Sequence, residues 1–149
     1  MAQIEVDIDG AAEARFRQHA RMAAPREACG LFGGVSSAAV DGNAAADHAD
    51  AIVRLSHYVP MRNLASDTDA YRMDPIEVAQ VEHALRRSGL ALRGVFHSHP
   101  CDTATPSDTD ARNAWPELVQ VILGCDGEWA AWLPRDKRLE RLDRLERVQ

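Results

Sequence analysis

Cysteine is scarce in this sequence: Cys29, Cys101 and Cys125 are the three in 149 residues. An odd set spaced this widely is no disulfide framework, and without a C-x-x-C pair there is no sulfur-ligated zinc motif. Lysine is scarcer still, since Lys137 stands alone and every other cationic side chain is arginine. The 17 Lys and Arg are outnumbered by 23 Asp and Glu, a net charge of -6 with histidine neutral. A chain of that sign lacks the basic footprint of a nucleic-acid binder. It also lacks the polybasic stretch that holds a protein to an anionic membrane. No apolar run approaches the ~20 residues of a membrane span. The opening MAQIEVDIDG has no charged stretch leading into an apolar run, so no signal peptide is expected and the cytoplasm is the expected location.

What is present is an ordinary globular mixture, 46% hydrophobic and 27% charged, at the common size of one domain. No repeat and no linker divides it, so 1–149 is read as a single mixed α/β domain. Residues 3–8 alternate Ile4, Val6 and Ile8 against polar neighbours, as a half-buried strand does. Asp9-Gly10 opens a helix with Ala12, Phe16, Ala20 and Ala23 on one stripe, closed by Pro25. ACGLFGGV (28–35) reads as a buried strand in which glycine permits close backbone approach. Asp41-Gly42 marks a hairpin tip within 36–50, residues 51–61 read as one strand, and 63–73 as a polar loop.

Asp74-Pro75-Ile76-Glu77 predicts a helix start, with Asp74 as N-cap, Pro75 at the first helical position and Glu77 closing a capping box. Val78, Val81 and Leu85 form its buried stripe, and Gly89 ends it. A central strand over 91–99 follows, then a loop from Pro100 to Pro106 and a helix from Ser107. Strands at 118–124 and 128–133 flank Asp126-Gly127, a tight-turn signal. In the tail, Leu139, Leu142, Leu145 and Val148 recur every third residue, closer to a helix than to a strand, with a final edge strand as the alternative.

The chemistry concentrates in GVFHSHPCDTATPSDTD (94–110). His97 and His99 are two apart on a predicted strand, so both imidazoles project from one face. Ser107 and Asp110 stand three apart at a helix start and can both turn toward the histidines. Two His and one carboxylate form the ligand set of a catalytic zinc (Zn2+), leaving a fourth position for water. Taken singly, each part has a plainer reading: H-x-H also describes exposed histidines on an edge strand, and S-x-x-D a simple helix cap. The joint spacing H-x-H-x7-S-x-x-D is what separates the two. A zinc site also needs a proton carrier, and Glu27, between Pro25 and the Gly-rich strand, is the candidate; position alone favours a plain surface glutamate.

These residues, together with P-x-E-x-C-G-L (Pro25 to Leu31) and H-S-H-P followed by P-S-x-x-D, resemble the JAMM (MPN-type) metalloproteases. The order of elements extends the resemblance over nearly the whole chain. It implies a JAMM/MPN, cytidine-deaminase-like α/β fold, with a central mixed sheet flanked by helices. It implies zinc held by His97, His99 and Asp110, and Glu27 as the group that takes a proton from zinc-bound water and returns it to the leaving amine. Ser107 is implied as the hydroxyl that stabilises the oxyanion. The reaction is then amide or isopeptide hydrolysis. A zinc at this position lowers the pKa of its water from 15.7 towards ~7.

The compact chain is similar to prokaryotic members acting on ubiquitin-like sulfur-carrier proteins with a C-terminal Gly-Gly. Asn63 and Tyr71, ahead of the D-P helix start, are the expected lining of a groove for that tail, where extended backbone pairs with a sheet edge. Cys101, two residues after His99, admits a thiol role that a water nucleophile makes unnecessary. Cys29 and Cys125 fall in apolar strands as small core residues. His19, His48, His57 and His83 are expected to be bystanders, and Trp115, Trp129 and Trp132 core or interface residues. A non-catalytic scaffold of the same fold is the alternative function. A zinc deaminase, which needs H-x-E and P-C-x-x-C, is excluded because the chain has no C-x-x-C. Oligomeric state is left open.

Overall fold

A computed structural model describes residues 4–35 and 51–146. β1 (Ile4–Ile8) takes up the expected alternation, burying Val6 and Ile8. α1 (Gly10–Ala23) starts after Asp9 and buries Ala12 and Phe16. β2 (Cys29–Gly34) is buried along its whole length. At Gly30 a Cβ would lie 2.3 Å from the Tyr58 hydroxyl, so this close strand-to-ring approach requires glycine. The turn expected at Asp41-Gly42 lies outside the described residues.

The single strand expected over 51–61 is two, β3 (Ala51–Leu55) and β4 (His57–Met61), divided at Ser56. β3 runs parallel to β1, while β4 runs antiparallel to β2. Between them, Ser56 N–H donates to the Gly33 carbonyl at 2.9 Å. α2 (Pro75–Arg87) has Asp74 as N-cap, its side chain accepting from Ile76 N–H at 2.9 Å. Glu77 does not close the capping box expected of it: its carboxylate pairs with Arg62 instead. Ser88 caps the C-terminus and Gly89 follows it at φ +79.

β5 (Ala91–Ser98) ends one residue before His99, whose N–H still bonds the Leu123 carbonyl of β6 (Val119–Leu123) at 2.8 Å. α3 (Asp108–Asn113) lies between them in sequence, and β7 (Trp129–Arg135) follows β6. The tail is a strand, β8 (Arg138–Arg144), and not a helix. Nor is it an edge, since it pairs with β7 on one side and β1 on the other. Asp136 and Lys137 at φ 49 and 65 make the two-residue turn that returns the chain against β7. Cys125 is exposed in the β6–β7 turn and is no core residue.

The described strands form one mixed sheet in the order β3-β1-β8-β7-β6-β5-β2-β4. Phe16 from α1 meets Phe32, Tyr58 and Phe96 in an aromatic cluster on one face. The other face carries α2, with Cys29, Leu31, Met61, Val78 and Val95 packed together. Alternation along β5 sends Phe96 to the α1 side and Val95 and His97 to the α2 side. Among the described residues no helix is long and apolar enough to cross a membrane.

Candidate metal centre and active site

The strand register builds the site. β2 and β5 pair antiparallel with Cys29 opposite His97. Carried two residues past the strand ends, the same register sets Glu27 opposite His99. A period of two then points Glu27, His97 and His99 to one face. Ser98, between the two histidines, faces the other way, is buried, and accepts from Ala28 N–H at 2.8 Å through its Oγ. Its own N–H donates to the Ala28 carbonyl at 3.0 Å, so Ser98 clamps the segment that carries Glu27. Ser98 is not among the residues that the H-x-H motif singles out. Its signal was available: the middle residue of H-x-H must face the core, and a small polar group there needs a partner.

α3 delivers the fourth side chain. Ser107 Oγ accepts from Asp110 N–H at 3.0 Å, and Asp110 Oδ2 accepts from Ser107 N–H at 2.9 Å, a complete capping box. The cap holds the Asp110 carboxylate still, with Oδ2 3.3 Å from His97 Nε2 and 3.2 Å from His99 Nε2. The two Nε2 atoms are 3.1 Å apart. The Glu27 carboxylate lies within 4.8 Å of both imidazoles.

Two imidazole nitrogens and one carboxylate oxygen thus form a nearly equilateral triangle. Its sides match the ~3.3 Å edge of a tetrahedron with ~2.0–2.1 Å metal–ligand bonds, and the donor set is one catalytic zinc uses. His99 Nδ1 bonds the Thr103 carbonyl at 2.7 Å. A carbonyl can only accept, so Nδ1 carries a proton; Nε2 donates to Asp110 in the protonated ring and holds a lone pair in the neutral one. Tyr71 stacks on His97, ring centroids 4.6 Å apart and planes at 23°.

The electrostatics separate the two carboxylates. Burial pushes Glu27 up to about 7, with His99 pulling down and Asp110 and Asp69 pushing further up. Burial acts upward on Asp110 too, but the hydrogen bonds of His97 and His99 outweigh it and hold the group well below the usual carboxylate range. Asp110 therefore stays anionic, while Glu27 can gain or lose a proton near neutrality. Burial lowers His97, keeping its ring neutral. Burial also acts downward on His99, yet the bonds to Asp110 and the Thr103 carbonyl bring the net shift upward.

Two cavities meet at Ser107, Asp110 and Asp69. One, of about 710 Å³, has an apolar wall of Tyr71, Met73, Val95 and Trp115. The other, of about 840 Å³, is lined by Glu27, His99, Asp67, Asp102 and Cys101. Asn63, expected in the groove, directs its amide inward. Nδ2 donates to the carbonyls of Glu27 and Ala70 at 3.0 Å each, and Oδ1 accepts from Ala65 N–H at 2.9 Å and Arg72 N–H at 3.1 Å. It clasps the 63–72 loop to the Glu27 segment. Of the other histidines described, His19 bonds the Tyr58 hydroxyl at 2.7 Å, His57 bonds Ser56, and His83 is exposed. Among the tryptophans, Trp129 is buried, Trp132 half-buried and Trp115 exposed.

This fold, with two histidines and Glu27 at the adjoining ends of β2 and β5 and Asp110 brought in by α3, defines a JAB/MPN-type domain. The chain belongs to the prokaryotic homologs of the JAB domain, whose family model matches residues 10–134. It is 34% identical over 129 residues to a desampylase of Haloferax volcanii, covering 81% of this chain and 83% of that one. It is 31% identical over 124 residues to a probable TtuB-protein conjugate cleaving protease of Thermus thermophilus, covering 83% and 72%. A solved structure from Desulfitobacterium hafniense superposes with a TM-score of 0.78 at 26% identity, covering 97% of this chain and 94% of that one.

Proposed function

We propose that the protein is a zinc metallopeptidase that hydrolyses the amide or isopeptide bond after the Gly-Gly tail of a ubiquitin-like or sulfur-carrier protein. The reading rests on one observation above all: His97 Nε2, His99 Nε2 and Asp110 Oδ2 converge at the spacing of three zinc ligands beside a carboxyl poised near neutrality. The Thermus relative's name specifies a protein conjugate, and likeness to it supports a conjugate as the substrate here.

His97, His99 and Asp110 are the residues that hold the metal. Lewis acidity toward a water and the scissile carbonyl is what zinc supplies there when bound. Glu27 does the proton work. Its carboxylate oxygen takes the proton of the attacking water and gives it to the nitrogen of the departing amine, so no net proton is consumed; such a relay is worth ~10²–10⁴-fold. Ser107 Oγ is already an acceptor for Asp110 N–H, which leaves its own O–H free to donate to the carbonyl oxygen as charge develops. Tyr71 keeps the His97 ring in place by stacking and forms part of the apolar wall along which the tail lies. Asn63 shapes that wall from behind by holding the loop. A reaction with water as its nucleophile requires no thiol from Cys101, which lines the same cavity as Glu27 and His99.

The direct test offers zinc-loaded protein a carrier protein joined through its terminal glycine to a single amino acid, to a peptide and to a lysine side chain. Intact mass should show release after the second glycine in at least one conjugate, stopped by a chelator. No cleavage of any conjugate, together with no zinc by elemental analysis, overturns the reading in favour of a scaffold.

A further inference from the structure

The turn from His99 to Thr105 carries a metal ligand and its hydrogen-bond acceptor, yet it contains no regular element. What holds it is the β6–β7 hairpin. Cys125 N–H donates to the Asp102 carbonyl at 2.7 Å, and the Trp132 indole Nε1–H to the Ala104 carbonyl at 3.1 Å. Between these bonds lies Gly124, where a Cβ would come within 2.8 Å of Ala104 N and 3.0 Å of Thr103 C. The hairpin therefore grips the turn on both sides of Thr103, whose carbonyl fixes the His99 ring and its proton on Nδ1.

We propose that Trp132 is a positioning residue for the metal site, acting through the Ala104 carbonyl to hold the Thr103 carbonyl where it orients His99. The inference rests on the reading of His99 as a zinc ligand. An outer partner that sets a ligand histidine's tautomer and orientation typically changes metal affinity 10–100-fold when lost. Trp132 stands one bond further out, so the lower end of that range, about 10-fold, is expected. The Arg141 guanidinium lies over the indole ring, 6.0 Å from its centroid, and Phe in its place keeps an aromatic ring there while removing the donor.

The experiment measures zinc affinity by competition with a chromogenic chelator for the wild type, Trp132→Phe, Gly124→Ala, His99→Ala and Asp110→Ala. Visible spectra of the cobalt-substituted proteins report ligand geometry independently of turnover. Trp132→Phe should bind zinc about 10-fold more weakly and shift the cobalt bands, with a metal-free melting temperature close to the wild type. Gly124→Ala should act in the same direction, and it keeps the test decisive if Trp132→Phe does not fold. Wild-type affinity and an unchanged cobalt spectrum in the folded variant overturn the positioning role. If His99→Ala and Asp110→Ala also keep zinc, the metal assignment itself has failed; if they lose it, the failure is confined to Trp132.

Discussion

Glu27 and Asp110 show how one residue chemistry is given two tasks by its surroundings. Asp110 accepts bonds from a backbone amide and faces two imidazoles, so it remains charged. Glu27 is buried with fewer partners and is pushed up to about 7. Pairs of titratable groups driven apart in this way mark acid–base roles. Glu27→Gln should therefore bind zinc with wild-type stoichiometry and lose turnover by ~10²–10⁴, whereas Asp110→Asn should lose zinc. Full activity in Glu27→Gln removes it from the reaction. The same shift has a stability consequence in the metal-free protein. The unfolded chain ionises Glu27 near the ordinary glutamate value of 4.5 and the folded chain near 7. The unfolded state thus sheds its proton first, and stability falls as pH rises across that window. Metal-free Glu27→Gln should accordingly melt above the wild type at pH 7.5, and at the same temperature at pH 4.

At the scale of elements, α3 is a six-residue helix that buries none of its side chains, so the Ser107–Asp110 box has an unusually large share in holding it. Ser107 then has two functions, a cap and a hydroxyl, and three substitutions separate them. Ser107→Ala removes both; losing a cap to Ala costs about 1 kcal/mol, while Gly costs only a few tenths. Ser107→Gly thus keeps most of the helix start without the hydroxyl, and Ser107→Thr keeps both. If the hydroxyl acts on the carbonyl oxygen, Ala and Gly lower kcat alike, by ~10²-fold or more, and Thr recovers most of it. Equal kcat in Ser107→Gly and wild type confines Ser107 to capping. Elements were also where sequence periodicity fell short. Val53 and Leu55 are buried at odd positions and Tyr58 at an even one, a phase slip at Ser56 that marks the change of neighbour from β1 to β2. In the tail, leucines three apart suggested a helix, but a strand can bury only alternate ones. β8 buries Leu142 and leaves Leu139 half-covered, and its pairing between β7 and β1 overrides the local pattern. Glu77 was drawn from its cap by an arginine distant in sequence, which no local motif reveals.

Across the whole molecule the candidate site was the most legible part, because H-x-H and S-x-x-D act at fixed local spacings. What no spacing contained was the long-range register that sets Cys29 opposite His97 and so brings Glu27 to the histidines. The metal should tie together the end of β5 and the start of α3. Removing it is therefore a test on the molecule as a whole. Zinc that binds the folded and not the unfolded chain stabilises it by ~2.7 kcal/mol at a free concentration 100 times Kd. At roughly 2–4 °C per kcal/mol for a domain of this size, the melting temperature should rise by about 5–10 °C. His99 is raised above its ordinary value by Asp110 and the Thr103 carbonyl, once its burial is overcome. Protons therefore compete with zinc for it near neutrality, and the zinc-induced rise should shrink as pH falls from 8 to 6. In Asp110→Ala the rise should vanish at every pH, while in Glu27→Gln it should persist. A zinc-induced rise that survives in Asp110→Ala would place the ion elsewhere on the protein.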